Sequence, residues 1–147
     1  MKRLMTQHMV LRVIAKILIP LILLFALYVQ FHGDYGPGGG FQAGVIFASG
    51  IILYALVFSL ERAHTVVPPV ALQTLLAIGI LLFGGVGVLC MMKGGSFLDY
   101  SVLAHDQGHP QQGQHRGILL IELGVGATVS SAMIIIFFAF ADRERNL

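Results

Sequence analysis

Seven carboxylates occur in this 147-residue chain, and Glu122 is the one that falls inside a long apolar run. An ionisable side chain held in hydrocarbon is costly, so it marks a proton or ion pathway, or a paired contact between helices. His32 and Asp34 follow an earlier apolar run, at the start of the segment His-Gly-Asp-Tyr-Gly-Pro-Gly-Gly-Gly-Phe-Gln-Ala-Gly from His32 to Gly44. An imidazole and two carboxylates can each gain and lose charge beside water. Glu122, His32 and Asp34 are therefore the ion-path candidates, with Glu122 lining the path and the other two near its mouth. The competing reading keeps Glu122 as a carboxylate that reaches the interface or pairs with a basic neighbour.

Other chemistry is scarce. His105, His109 and His115 lie with Asp106 in a polar connection, but Gly108 and Pro110 bracket His109 and argue against the helix that a His-x3-His metal pair needs. A solvated loop without metal is expected there, and His8 and His64 read as surface residues. No nucleophile–base constellation marks an enzyme. Ser49 and Ser59 sit in apolar helix, where hydroxyls bond back to backbone or to a neighbouring helix. The glycine-rich segment lacks the Gly-Lys-Ser/Thr of a phosphate loop. Cys90 is the single cysteine, which excludes an intrachain disulfide. No cofactor and no nucleic-acid partner are expected.

The elements that must position these residues are membrane helices. The chain is 56% hydrophobic and 11% charged, with mean hydropathy +0.85, outside the range of a water-soluble domain. Four runs, about 11–31, 41–60, 70–92 and 117–141, reach the ~20 residues that cross a bilayer core. Residues 1–147 then form a single all-α membrane domain of four transmembrane helices. The first run exceeds a signal-peptide core and no small-x-small site precedes His32, so it is expected to stay in the mature chain.

Lys2, Arg3, Arg12, Lys16, Arg62, Arg143 and Arg145 fall on one side of this arrangement and Lys93 and Arg116 on the other. The positive-inside rule then puts both termini in the cytoplasm, and the glycine elbow and the 93–116 connection outside.

The elbow Pro37, Gly38, Gly39, Gly40 and Phe41 is composed for a specified turn rather than a loose linker. Small residues share helix faces: Gly44 and Ala48 on the second span, Gly84 with Gly87 on the third, Gly124 and Thr128 on the fourth. Such faces let membrane helices approach closely. Gly126 and Ser130 form a second small face on the last helix, beside Glu122. Two close-packing faces on one helix of a four-helix protein lead us to expect a partner subunit against it.

The elbow Pro37-Gly38-Gly39-Gly40-Phe41 behind His32, the four spans, and Ile121-Glu122-Leu123-Gly124-Val125-Gly126 opening the last one together resemble the MnhB family, small membrane subunits of the multisubunit Mrp-type cation/proton antiporters. The resemblance covers nearly the whole chain, and its two motifs are specific in combination. It implies a cofactor-free component of a bacterial or archaeal cell-membrane complex exchanging sodium or another monovalent cation for protons. It also implies partners among the large subunits related to those of respiratory complex I. A structural component of a membrane-bound hydrogenase-type complex is the alternative.

Overall fold

The computed structural model describes the backbone of residues 2–33, 38–103 and 110–145, and the side chains of 9–33, 38–103 and 114–143. Among the described residues, five α-helices and one short 3-10 turn, Tyr100–Leu103, make up the regular structure. The helices are α1 (Lys2–Phe31), α2 (Gly40–Phe58), α3 (Leu60–Val66), α4 (Pro69–Met92) and α5 (Pro110–Arg145). Four of them carry segments long and apolar enough to cross a membrane: Met9–Phe31, Gly40–Phe58, Pro69–Met92 and Gln114–Arg143.

The helix α1 starts at Lys2 rather than near residue 11 and α5 runs to Arg145 rather than 141; two further boundaries differ from the expected spans for identifiable reasons. The second span stops at Phe58, because Ser59 takes φ 106° and ψ 150° and turns the chain into the short helix α3. The last helix begins at Pro110 rather than near residue 117. Proline is compatible with a first helical position, where its missing N–H has no partner to lose. Pro110 therefore opens the helix that it was expected to oppose, and His115 is helical. At 36 residues, α5 is about 54 Å long and outreaches a hydrocarbon core of about 30 Å.

The transmembrane helices pack in the order α1, α2, α5, α4, with α2 and α5 central. Large apolar side chains on α1 and α4 face outward, among them Ile17, Leu24, Val70 and Leu81, as suits a surface solvated by lipid. A side-chain core of Ala48, Ile51, Ala55, Ala63, Leu72, Ile134 and Phe138 fills the end near α3. The other end, at the glycine elbow, is joined through backbone instead.

The packing of α5 corrects the reason given for expecting a partner subunit, not the partner itself. Its two small-residue faces are both covered by this same chain. A Cβ on Gly126 would strike the Gln30 amide of α1 and come within 3.2 Å of the Gly40 carbonyl of α2. A Cβ on Gly124 would lie 2.9 Å from the Gly79 carbonyl of α4. The central place of α5 in the row explains the two faces, so they carry no argument for another subunit.

Candidate functional site

Glu122 sits where the elbow folds against α5. The first helical residue of α2 is Gly40, and a Cβ there would run into the backbone carbonyl of Glu122. Gly39, the residue capping α2, is fully extended with φ −156° and ψ −169° and supplies no side-chain cap. A Cβ on Gly39 would stand 3.0 Å from Glu122 Oε1, and one on Gly33 would stand 2.6 Å from Oε2. The carboxylate is thus seated between two glycine backbones, half-buried and not without a partner. It lies at the N-terminal end of α2, where unpaired N–H groups and the helix dipole favour negative charge.

The neighbouring elbow residues have distinct places. Gly38 takes φ +150°, in the region that disfavours side chains, and a Cβ there would lie 2.8 Å from Val29 Cγ1 and 2.9 Å from Gln42 Oε1. Phe41 is 62% exposed, pointing its ring away from the chain's interior. Asp34 and Pro37 lie outside the described residues, as do His105, Asp106 and His109 of the polar connection. His32 is exposed, and its ring stacks on Tyr28 one turn back, centroids 4.2 Å apart. It flanks the cradle rather than lining it.

Sequence reasoning misses Gln30. The residue is 6% exposed, its Oε1 lies against the Gly126 position, and its Nε2 has no hydrogen-bond partner among the described residues. It borders a cavity of about 190 Å³ between α1, α2 and α5, together with Gly44, Phe47, Gly126 and Ser130. A polar residue in the last turn of an apolar run is the available signal, though it does not reveal which way the side chain points.

The helix-interface candidates separate clearly. Gly44 is held close to α5, where a Cβ would lie 2.8 Å from the Gly126 carbonyl, and Ala48 is completely buried. Thr128 donates its hydroxyl proton to the Gly124 carbonyl at 2.8 Å, and that hydroxyl occupies the space a Cβ on Gly79 would need. Gly84 is different. Nothing among the described residues comes within 4 Å of a Cβ placed there, so it packs against no other described helix of this chain. Gly79 is the contact residue on α4 instead.

Around the 93–116 connection, Asp99 accepts hydrogen bonds from the Ser101 amide at 3.2 Å and from its hydroxyl. The carboxylate is thereby tied into the 3-10 turn, and no ion pair joins it to Lys93 among the described residues. Tyr100 packs its ring over Gly117, and its phenol is pushed above the ordinary tyrosine value, first by burial and then by the nearby Cys90. It stays neutral at any physiological pH. Among the described residues no cluster of three or more metal-ligating side chains occurs.

His64 departs from the surface role expected of it. Its Nε2 is 3.3 Å from Asp142 Oδ2, its ring packs 4.4 Å from that of Phe138, and its Nδ1 is buried. It clasps α3 to the end of α5.

Comparison with known proteins adds an independent line. Residues 10–135 match the model of a domain related to the MnhB subunit of the Na+/H+ antiporter. A protein of Staphylococcus haemolyticus named as antiporter subunit mnhB2 is 34% identical over 137 residues, covering 92% of this chain and 95% of its own length. One of the same name from Staphylococcus aureus strain Newman is 36% identical over 92 residues, covering 63% of this chain and 64% of its own.

Proposed function

We infer the role of Glu122 from one premise: this chain belongs to the MnhB family, and so is a membrane subunit of a multisubunit Na+/H+ antiporter. It is a multi-pass bacterial cell-membrane protein and a transporter component whose partners include other antiporter subunits. Within that complex, Glu122 is the group of this chain that exchanges charge with the ion path. The observation carrying this reading is the seat of the carboxylate between Gly33 and Gly39 at the start of α2.

Three features support it. A helix N-terminus favours a carboxylate in its charged form, in a site that is partly dry. Gly33 and Gly39 bring backbone rather than side chains to the carboxylate, so no bulky group of either residue screens it. Gln30 lies one layer inward beside a cavity large enough for water. A proton or sodium ion arriving from the elbow side, past His32, would meet Glu122 first and the Gln30 amide next.

The orientation in this reading rests on the distribution of Lys and Arg, and the partners rest on the family. Both termini are cytoplasmic, the elbow faces outward, and the large complex-I-related subunits flank this one and perform the main translocation of sodium and protons. The chain has no catalytic site of its own and is required for assembly.

Replacing Glu122 by Gln keeps shape and hydrogen-bonding capacity but removes the charge. The antiporter should assemble, by co-purification of its subunits, while Na+/H+ exchange in everted vesicles falls sharply, because an intramembrane carboxylate on an ion path works through its charge. Glu122→Asp should keep part of the activity. Normal exchange across pH in the assembled Gln variant would make Glu122 a structural contact and end this reading.

A further inference from the structure

At the end of the molecule away from the elbow, three cations converge on one cleft. Arg12 and Lys16 stand one turn apart on the same face of α1, and Arg62 is brought beside them by the turn at Ser59 into α3. Tyr54 and Phe58 of α2 form the wall between, their rings tilted at 35° with centroids 5.0 Å apart. The cleft encloses about 350 Å³ and is lined further by Ile19 and Pro20. No carboxylate lines it among the described residues, and the contact of Asp142 with His64 leaves all three cations out.

We propose that this cleft binds the phosphate of an anionic phospholipid, with the headgroup between Arg12, Lys16 and Arg62 and an acyl chain along Ile19, Pro20 and Tyr54. Two properties favour that occupant. Three like charges around one hollow repel one another until an anion sits among them, and arginine forks match phosphate oxygens bidentately. The floor of the cleft is apolar and aromatic and continues directly into the lipid-facing surface of α1, where Ile17 is 64% exposed. A free phosphate would use the cations and ignore the floor. A lipid uses both. Basic pockets between membrane helices at the more positive side of a protein take such headgroups, with each cation contributing roughly a fivefold preference.

The test uses the whole antiporter complex in phosphatidylcholine nanodiscs doped with photoactivatable phosphatidylglycerol. Crosslinks are expected on peptides containing Arg12–Pro20 and Tyr54–Arg62. Inorganic phosphate should fail to compete the label away. The triple variant Arg12→Gln/Lys16→Gln/Arg62→Gln should lose roughly tenfold to a hundredfold of the label, with a phosphatidylcholine probe unaffected. The charge-preserving pair Arg12→Lys/Arg62→Lys should retain most of it. If the triple variant does not assemble, the wild-type crosslink map and the phosphate competition still decide. Full displacement by inorganic phosphate would make this a free-anion site and overturn the proposal. Equal labelling by the two lipid probes, or crosslinks that map only elsewhere, would overturn it as well.

Discussion

The two ends of this bundle are assembled by opposite means. At the elbow end, Gly33, Gly39 and Gly40 press backbone against Glu122, and Gly44 presses backbone against Gly126. At the α3 end, Ile51, Leu72, Ile134 and Phe138 pack as side chains, and the charged groups Arg12, Lys16 and Arg62 stay on the outside. Side chains can repack when a neighbour grows, whereas a backbone carbonyl fixed in a helix cannot step aside. The elbow end should therefore be brittle and the α3 end tolerant. The same contrast separates their chemistry: one charge is enclosed by the fold, and the others are left to whatever surrounds it.

The largest effect should come from Gly40→Ala. The added methyl meets the Glu122 carbonyl and backbone carbon atoms rather than a movable side chain. Overpacking typically costs about 1–3 kcal/mol, and more where nothing can yield. The complex should fail to assemble or lose most of its thermal stability by fluorescence-detected gel filtration. Gly84→Ala meets nothing within 4 Å among the described residues. It serves as the matched substitution, expected to be neutral unless another subunit covers that face. If Gly40→Ala assembles normally, the brittleness of the elbow end is wrong.

Next in size is the loss of exchange in Glu122→Gln, which sharpens the comparison because it removes charge without changing packing. Gln30→Leu extends the test one layer inward. It removes a buried amide whose Nε2 has no partner among the described residues. If the amide serves only as filler, stability should hold or rise, and exchange should be unchanged. A fall in exchange with assembly intact would place Gln30 on the path with Glu122.

How much of this is legible in the sequence differs between the two ends as well. Hydropathy alone delivers the four membrane helices, since each run is long and unbroken. Glu122 and the elbow glycines each stand out in the sequence, one as a charge in an apolar run and the others as a cluster. Their meeting does not, because nothing local says that residue 39 lies beside residue 122. Gly79 is invisible for a related reason: small-residue stripes show which faces can approach closely, not which ones do, and Gly84 fits a stripe equally well. His64 reads as a surface residue because its contacts, Phe138 and Asp142, lie more than seventy positions away. The start of the last helix is not legible, since Pro110 permits a helix start as readily as it breaks one.

At the tolerant end, Asp142→Asn should have a small effect. The pair with His64 is partly open to solvent, 26% and 47% exposed on the two side chains, and such pairs contribute about 0.2–1 kcal/mol. Thermal stability of the complex should fall slightly and exchange should not change. A loss comparable to that of Gly40→Ala would erase the distinction between the ends.

The smallest expected change is also one that can improve the protein. Ser59 holds φ 106° and ψ 150°, a conformation nearly reserved for glycine that costs a side-chain-bearing residue on the order of 1–3 kcal/mol. It persists because both flanking helices use it: its N–H donates to the Ala55 carbonyl at 3.1 Å, and its carbonyl accepts from the Ala63 N–H at 3.1 Å. Glycine keeps both bonds and removes the strain, while giving back roughly 0.5–1 kcal/mol through the greater freedom of the unfolded chain. Ser59→Gly should therefore leave stability unchanged or raise it by about 1 kcal/mol. Ser59→Ala retains the strained Cβ and should show no gain. Ser59→Pro cannot reach a positive φ and loses the bond to Ala55, so it should straighten or break the turn and carry Arg62 away from Arg12 and Lys16. A marked loss in the glycine variant, with Ser59→Ala unaffected, would mean that the side chain at this position supports the turn, and that the α3 end is less forgiving than its packing suggests.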